Sequence, residues 1–285
     1  MIRPGQPREP WLTDTHQDQY GISLRVKKTL FRKQSAHQLV EVLDTEGFGR
    51  LLVLDGIIMC TERDEFVYHE MLVHVPLCAH AEPRDVLVIG GGDGGTLREV
   101  LKHPSIRRVD VVEIDETVIQ ASREFLPTLN TGWDDPRTRV LCRDGIEFLK
   151  TQREHYDIVL VDSTDPIGPA VGLFEEAFYR DAFQALRSEG LMALQSGSPF
   201  FDGECLRSIH ANLRAAFPHV SLYLAPVVTY PGGHWSFTFA GKAHGPLDGP
   251  HAGRHHGRGF ATRYYTPDIH HAALQLPRFI QDLLT

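Results

Sequence analysis

The sequence has few cysteines, no long apolar run and no excess of positive charge. Its cysteines Cys60, Cys78, Cys142 and Cys205 are widely spaced and form no CxxC pair. This pattern argues against a disulfide framework or a zinc site and predicts reduced, mostly buried thiols in a cytoplasmic protein. The net charge is −8, and no segment resembles a signal peptide or membrane span. Nucleic acid and membranes are therefore poor partners, whereas a polycationic substrate would be attracted.

The length of 285 residues, 42% of them hydrophobic, is sufficient for one large domain and a small one. Residues 1–10 are polar and proline-rich and predict a disordered tail. Residues 11–61 predict a small antiparallel β domain of about six short strands, with alternation over 20–26 and a hairpin dipeptide at Asp55-Gly56. Residues 62–285 then form the second domain, which begins with a helix over 65–78.

The stretch 86–115 has the order strand, glycine-rich turn, helix, strand and acid. Val86–Ile89 is a short branched apolar run, residues 90–95 are five glycines and Asp93, and a helix follows from Thr96. A second apolar run ends in Glu113, where a carboxylate can accept hydrogen bonds from ribose hydroxyls. The pattern predicts half of a nucleotide-binding α/β sheet. The alternative is a tight loop that merely packs a helix against a strand.

Asp93 is the unusual member of the glycine-rich turn. Loops that bind phosphate use bare backbone N–H groups and a helix N-terminus, so a carboxylate there would repel pyrophosphate. This argues against an NAD-dependent dehydrogenase. It favours a cationic ligand such as an adenosyl-sulfonium compound.

The α/β alternation continues along the rest of the chain. Strands are predicted over 139–142, 158–161 and 191–194, and amphipathic helices over 174–186 and 206–217. Residues 220–224 and 235–240 suit an antiparallel edge. Since ligands of open α/β sheets bind outside the carboxyl ends of the strands, we expect five carboxylates in one crevice: Asp93, Glu113, Asp144, Asp162 and Asp165.

Residues 242–259 are rich in Gly, His and Pro and have no apolar period. We interpret them as a mobile surface loop. The alternative is a metal site through His251, His255 and His256, but neighbouring arginines would repel a cation, and we expect no metal. For His270 and His271 we expect a packing role.

The chain contains the motifs IGGGDGG, VEID, CRDG, VDSTDPIGP, TERDEFVYHEM, TYPGGHWSF and RYYTPDIHHAALQLP. Together they resemble the spermidine synthase (polyamine aminopropyltransferase) family, and the resemblance extends from about Trp11 to Leu284. It implies a methyltransferase-like Rossmann domain, with a mostly parallel sheet and an antiparallel edge, preceded by a small antiparallel β domain. It also implies a homodimer or homotetramer that transfers the aminopropyl group of decarboxylated S-adenosylmethionine to putrescine, giving spermidine and methylthioadenosine. The decarboxylated compound is then a co-substrate, and no cofactor is expected.

The resemblance also implies roles for individual residues. Asp162 would be the general base, Asp93 would bind the aminopropyl ammonium, and Asp165 would anchor the diamine. For His69 we expect a neutral hydrogen-bonding role. The amine-binding residues would be Tyr68, His69, Asp93, Asp162, Ser163, Thr164, Asp165, Tyr230 and Trp235. The nucleoside-binding residues would be Gln38, Gly90, Gly92, Glu113, Ile114, Asp144, Gly145 and Pro169.

Two other functions are compatible with the same motifs. One is an amine N-methyltransferase that uses S-adenosylmethionine, against which Asp93 argues. The other is a catalytically silent polyamine-binding subunit, against which the presence of both Asp162 and Asp165 argues. The sequence leaves open the preferred amine and the choice between dimer and tetramer.

Overall fold

The computed structural model of the chain describes residues 10–166, 168–248 and 260–285, without the side chain of Pro169. Nearly all of the predicted N-terminal tail lies outside the described residues, as do the three histidines of the alternative metal site. The described part contains two β-sheets, one near the N-terminus and one in the larger domain.

The N-terminal sheet has five antiparallel strands in chain order, so the expectation of about six is wrong. They are β1 (Trp11–His16), β2 (Tyr20–Gln34), β3 (Leu39–Thr45), β4 (Arg50–Leu54) and β5 (Ile57–Thr61). Strand β2 is much longer than the alternating segment predicted over 20–26. Its pairing with β3 shifts register near Val26 and again near Thr29, and these irregularities interrupt the alternation on which the prediction depended.

The second sheet has seven strands in the order β11-β12-β10-β9-β6-β7-β8. Strands β6 to β10 pair in parallel, whereas β12 pairs antiparallel with both β10 and β11. The expected fold, a mostly parallel sheet with an antiparallel edge, is therefore confirmed. The strands are β6 (Asp85–Gly90), β7 (Arg108–Glu113), β8 (Thr138–Cys142), β9 (Tyr156–Asp162), β10 (Leu186–Gln195), β11 (His219–Ala225) and β12 (Trp235–Gly241).

The switch in strand order falls between β6 and β9. The chain runs outward from β6 through β7 to β8, and then returns to the other side of β6 with β9. Gly90 pairs with Asp162 at the carboxyl end of this strand pair. A topological switch point of this kind opens a crevice in which ligands bind.

Helices cover both faces of the second sheet. The helix predicted over 174–186 is shorter, because Phe174 ends a 3-10 helix and Leu186 already begins β10. No helix among the described residues is long and apolar enough to cross a membrane. The helices are α1 (Glu65–Ala79), α2 (Gly95–Leu101), α3 (Glu116–Phe125), α4 (Gly145–Leu149), α5 (Glu176–Ala185), α6 (Gly203–Ala216), α7 (Pro267–Ala273) and α8 (Arg278–Leu283).

Helix α1 is buried on nearly all sides, which is typical of a helix packed within a domain core. Its Glu70 carboxylate is the acceptor for three successive backbone N–H groups, those of Arg263, Tyr264 and Tyr265, at 2.7, 2.8 and 2.8 Å. The Arg263 guanidinium also lies 3.7 Å from the centre of the Phe66 ring. Helix α1 and the segment 263–265 are thus held together by charge-assisted hydrogen bonds and a cation–π contact.

An apolar cluster joins the two domains. It combines Val40, Leu52 and Leu54 of the N-terminal sheet with Val118 and Ala121 of α3. Because α3 follows β7 directly, this packing places the N-terminal sheet beside the carboxyl ends of the parallel strands. Cavities at that edge can therefore be lined by both domains.

None of the four cysteines, all of which the structure describes, forms a disulfide. Cys60 and Cys78 are buried, as expected, but Cys205 is only half-buried and Cys142 is exposed. The expectation of mostly buried thiols therefore holds for two of them. Cys142 is exposed because it ends β8, the strand at the edge of the sheet.

Candidate active site

Two cavities meet at the carboxyl edge of the parallel strands. The first, which we call the strand-end cavity, has a volume of about 150 Å³ and is lined by the ends of β6, β7 and β9. The second, the hairpin cavity, has a volume of about 330 Å³ and is lined by the β1–β2 hairpin and by residues 163–166 and 195–197. The cavities adjoin, since both are lined by Met59, Tyr68, Ser163, Thr164 and Tyr230.

The glycine-rich turn brings β6 against the end of β9. Gly90 has a positive φ of +80°, and a Cβ there would lie 2.0 Å from the Asp162 carbonyl oxygen. Only glycine therefore fits, and the Gly91 N–H donates a hydrogen bond of 2.9 Å to that same carbonyl. Gly90 and Gly92 both line the strand-end cavity, where they leave room beside Asp93 and Asp162.

Glu113 ends β7 and lines the strand-end cavity, as the sequence predicts for a ribose-binding acid. Its Oε1 accepts a hydrogen bond of 2.9 Å from the Asp115 N–H. Burial, together with the nearby charge of Asp115, raises the pKa of Glu113 to about 7. Among the described residues, no basic side chain forms an ion pair with Glu113, so this carboxyl has no charged partner in the cavity.

The other predicted nucleoside residues lie around the same cavity. Gln38, Ile114, Asp144 and Gly145 line it. The Gln38 Nε2 also donates to Asp115 at 3.2 Å, and Asp144 caps the N-terminus of α4 by accepting from Ile146 at 2.8 Å. For Pro169 the structure gives only the backbone, within a 3-10 helix, and its side chain lies outside the described part.

Asp93 belongs to a chain of four charged side chains. Its Oδ1 accepts from the Gly95 N–H at 2.6 Å, and its Oδ2 lies 3.3 Å from the His69 Nε2. The other His69 nitrogen, Nδ1, lies 2.6 Å from Glu65, which in turn accepts from Arg98 at 2.8 and 3.1 Å. Acidic and basic groups alternate along this chain, so each charge has an opposite neighbour.

The surroundings of His69 favour a charged ring over the neutral one that the resemblance implies. Burial alone would lower the pKa of His69, but the carboxylates of Asp93 and Glu65 outweigh it and hold that pKa well above the usual value. A protonated ring in this position can donate from both nitrogens. Conversely, His69 overcomes the effect of burial on Asp93, whose pKa is lowered. A Cβ on Gly95 would lie 2.2 Å from His69 Cε1, so glycine is required for the ring to fit.

Asp162 lines the strand-end cavity, next to Ser163, which lines both cavities. The Tyr68 hydroxyl donates to its Oδ1 at 2.9 Å, and the Thr96 hydroxyl donates to its Oδ2 at 2.7 Å. Burial and the nearby charge of Asp93 outweigh these hydrogen bonds and raise the pKa of Asp162 to about 6. A carboxylate of this basicity can accept a proton near neutral pH.

Aromatic side chains lie where the cavities adjoin. Tyr68 and Tyr230 pack edge to face at 5.8 Å, and Tyr230 packs against Trp235 at 4.6 Å. The Tyr230 hydroxyl donates to the Met59 carbonyl oxygen. Tyr68 and Tyr230 line both cavities, and Trp235 lines the hairpin cavity. Aromatic faces next to carboxylates suit a ligand with an alkyl chain and ammonium ends.

Asp165 lies in the hairpin cavity, apart from the other four predicted carboxylates. The five carboxylates thus line two adjoining cavities, because the chain turns away from the sheet after Asp162. Ser163 and Thr164 line both cavities. Gln195 donates to Asp165 Oδ1 and to the Ser163 carbonyl oxygen, each at 3.3 Å.

The hairpin cavity also contains polar residues that the sequence analysis missed, namely Asp14, His16, Gln17, Gln195 and Asp202. Gln195 ends β10, so the same strand-end rule that found the other acids would have found it. The remaining residues follow no such rule. Asp14 and His16 belong to an edge strand of the other domain, and Asp202 precedes α6.

Among the described residues, His69, Asp93 and Asp162 are spaced as a possible metal group, with ligand atoms within 4.8 Å of one another. Both nitrogens of His69 already face carboxylates, and its pKa is raised. A metal would require the neutral ring. The group therefore fits an acidic site for an organic cation better than a metal site.

Comparison with known proteins gives matches over nearly the whole chain. Residues 65–247 match the model of the spermine/spermidine synthase domain, and residues 10–62 match that of the spermidine synthase tetramerisation domain. A polyamine aminopropyltransferase of Desulforudis audaxviator is 49% identical over 95% of this chain and 98% of its own length. One from Moorella thermoacetica is 47% identical over 96% of both chains.

Solved structures of similar proteins agree in fold. A spermidine synthase in complex with the transition state analogue AdoDATO has a TM-score of 0.94 at 36% identity, over 100% of this chain and 98% of that one. The Thermotoga maritima spermidine synthase has a TM-score of 0.92 at 36% identity, over 100% and 97%. With the domain models, these likenesses place the chain in the spermine/spermidine synthase family.

Proposed function

We propose that the chain is a polyamine aminopropyltransferase that transfers the aminopropyl group of decarboxylated S-adenosylmethionine to putrescine. The observation that carries this proposal is the position of Asp162, which lines the strand-end cavity and accepts a hydrogen bond from Tyr68, a residue that also lines the hairpin cavity. The strand-end cavity would hold the nucleoside, with Glu113 at the ribose and Asp144 near the adenine. The hairpin cavity would hold the amine. The relatives named above support the same reaction.

The reaction is a substitution at the aminopropyl carbon that is bonded to sulfur. The nitrogen of putrescine attacks this carbon, a C–N bond forms, and the C–S bond breaks with its electron pair remaining on sulfur. The products are methylthioadenosine and, after loss of one proton from nitrogen, spermidine. Because the sulfonium is already an activated leaving group, the protein has to align the amine and remove its proton.

Asp162 is suited to remove this proton. A primary amine with a pKa near 10.4 costs about 4 kcal/mol to present as the free base at pH 7.5. Acids near the amine would raise that cost if they were all charged. The raised pKa of Asp162 reduces this problem, because a more basic carboxylate accepts the proton more readily. Asp165 would hold the distal ammonium, and Tyr68 would orient Asp162 through their hydrogen bond.

Asp93 would bind the ammonium of the aminopropyl group. Its pairing with His69 fixes the carboxylate in place and keeps it ionised, since the pKa of Asp93 is lowered. An ionised, fixed carboxylate is a preorganised site for a cation. On the side of His69 away from the cavity, Glu65 contacts the ring and in turn accepts a hydrogen bond from Arg98.

Two further properties belong to the proposal. The match of residues 10–62 to a tetramerisation domain supports an oligomer, and we propose a homodimer or homotetramer. Four cysteines without a disulfide are compatible with the reducing conditions of the cytoplasm, where we propose that the protein acts. Light scattering of the purified protein would measure the oligomeric state directly.

The reaction is tested by supplying the purified chain with putrescine and decarboxylated S-adenosylmethionine. Mass spectrometry should find spermidine and methylthioadenosine in equal amounts. A parallel reaction with S-adenosylmethionine should give no methylated amine. Methylated putrescine would instead identify a methyltransferase, and binding of both compounds without any product would identify a silent subunit.

A further inference from the structure

The β1–β2 hairpin contacts the segment before α6 through a group of four residues, His16, Gln17, Phe201 and Asp202, which we call the hairpin clamp. His16 Nε2 lies 3.1 Å from Asp202 Oδ1. Gln17 Nε2 donates to the same oxygen at 3.3 Å and to the Phe201 carbonyl oxygen at 3.2 Å. The clamp thus connects residues that are about 186 positions apart in the sequence and belong to different domains.

Ring packing and backbone conformation both support the clamp. The Phe201 ring lies 5.1 Å from the ring of His16 and 5.2 Å from that of Tyr20. Gln17 and Asp18 have φ values of +52° and +54°, which are uncommon for residues other than glycine. Such a turn persists when surrounding contacts hold it in place, and the clamp supplies those contacts.

The clamp forms the outer wall of the hairpin cavity. His16, Gln17 and Asp202 line the cavity, yet the side chains of His16 and Asp202 remain 17% and 20% exposed. They therefore lie between the cavity and solvent. The part shared with the strand-end cavity includes Tyr68, whose hydroxyl donates to Asp162. An amine that reacts near Asp162 would extend from that part towards the clamp.

The clamp also occupies the carboxylate at this wall. Asp202 accepts hydrogen bonds from His16 and Gln17, and a third from the Ser198 N–H at 3.2 Å. Asp165, which follows Thr164 of the shared part, accepts one hydrogen bond, from Gln195. A second ammonium therefore has an acidic partner in Asp165. A third ammonium, farther out, would have to displace His16 and Gln17 from Asp202.

We propose that the hairpin clamp sets the upper length of the acceptor, so that the cavity takes a diamine and excludes a triamine. This inference rests on the proposed function, because it concerns the amine of the same reaction. It assigns to His16, Gln17 and Asp202 a role in substrate specificity. Opening the clamp would remove a wall and, if Asp202 is kept, also free a carboxylate for a third ammonium.

The test compares putrescine with spermidine as acceptors. In the double variant His16→Ala/Gln17→Ala, the ratio of kcat/KM for spermidine to that for putrescine should rise at least tenfold over the wild type. Asp202→Ala should raise the ratio less, because it opens the wall without offering a carboxylate. Thr13→Ala is the matched control, since it removes a hydrogen bond of 2.8 Å to Ser23 on the same hairpin but on its exposed side. This control should leave the ratio unchanged.

An unchanged ratio in both clamp variants would overturn the proposal, as would a wild type that uses spermidine as well as putrescine. Calorimetric titration of both amines in the presence of methylthioadenosine measures the same preference without turnover. The clamp variants should then gain affinity for spermidine relative to putrescine. A chain that binds the amines with this length preference but transfers nothing would refute the proposed function alone.

Discussion

The two cavities of the site are assembled in different ways. In the strand-end cavity, Asp93, Glu113, Asp144 and Asp162 each lie at the end of a parallel strand or within three residues of it, and the sheet brings them together. The hairpin cavity adds polar groups from the N-terminal hairpin and from the segment before α6 to those at the ends of β9 and β10. The first cavity is thus specified by short, local patterns. The second depends on how two domains pack.

The cavities also differ in which acid is paired with a histidine. In the strand-end cavity, Asp93 is paired with His69 and its pKa is lowered, while burial raises the pKa of Glu113 and of Asp162. In the hairpin cavity, His16 and Gln17 hydrogen-bond Asp202, while burial raises the pKa of Asp14 and of Asp165. The comparison suggests that the strand-end cavity sets the chemistry and the hairpin cavity sets the choice of amine. The following predictions test that separation, from the largest effect to the smallest.

The first prediction separates turnover from nucleoside binding. Asp162→Asn preserves the shape of the side chain but removes the proton acceptor, so turnover should fall by about 10² to 10⁴. Affinity for methylthioadenosine, measured by calorimetry, should remain close to that of the wild type. The matched control is Asp134→Asn, at a side chain that is 91% exposed. A variant at position 162 with near wild-type turnover at neutral pH would show that another group is the base.

The second prediction concerns the ribose. Glu113→Ala should weaken methylthioadenosine binding by about 1.5 to 3 kcal/mol, or roughly 10- to 150-fold, the scale of hydrogen bonds to a charged group. Putrescine affinity should change little if the cavities act separately. Glu116→Ala, at an exposed position on α3, is the control. Unchanged nucleoside affinity would mean that the ribose lies elsewhere.

The third prediction asks which sulfonium compound the strand-end cavity prefers. Two like charges at 4 Å cost about 4 kcal/mol at an effective dielectric near 20. Asp93 should therefore repel the carboxylate of S-adenosylmethionine, although the charge of His69 offsets part of the effect. We expect at least tenfold tighter binding of the decarboxylated compound. Asp93→Asn should reduce that preference, mainly by weakening the binding of the decarboxylated compound. Equal affinities in the wild type would contradict this role.

The fourth prediction concerns stability in the unliganded state. The pKa of Glu113 is about 7 in the folded protein, above its ordinary value of 4.5. Between these values the folded state binds a proton that the unfolded state lacks, so stability falls as pH rises through 7. From pH 6 to pH 8 this amounts to about 1 kcal/mol. Denaturant unfolding should show that the free energy of unfolding of Glu113→Gln falls less between pH 6 and pH 8 than that of the wild type. Equal losses in both proteins would show that Glu113 is already ionised at pH 6.

The difference between the cavities also explains what the sequence could predict. Asp93, Glu113, Asp144 and Asp162 were predicted because ligands bind outside the carboxyl ends of parallel strands, where these residues lie. His16 and Asp202 were missed because nothing in their neighbours indicates a contact across domains. The surroundings that favour a charged His69 could not be predicted for a similar reason. They include Glu65, one turn earlier on α1, and Asp93, which only the tertiary fold brings to the ring.

The three N–H groups held by Glu70 have a consequence for exchange with solvent. Residues 263–265 belong to no helix or strand, so their amides would ordinarily exchange hydrogen for deuterium quickly. Since these amides donate to a buried carboxylate, they should exchange as slowly as amides in the core strands. Glu70 directly follows Tyr68 and His69 on α1. The exchange rates of these amides would therefore show whether α1 is packed against the segment 263–265, without any substitution of a residue that faces the cavities.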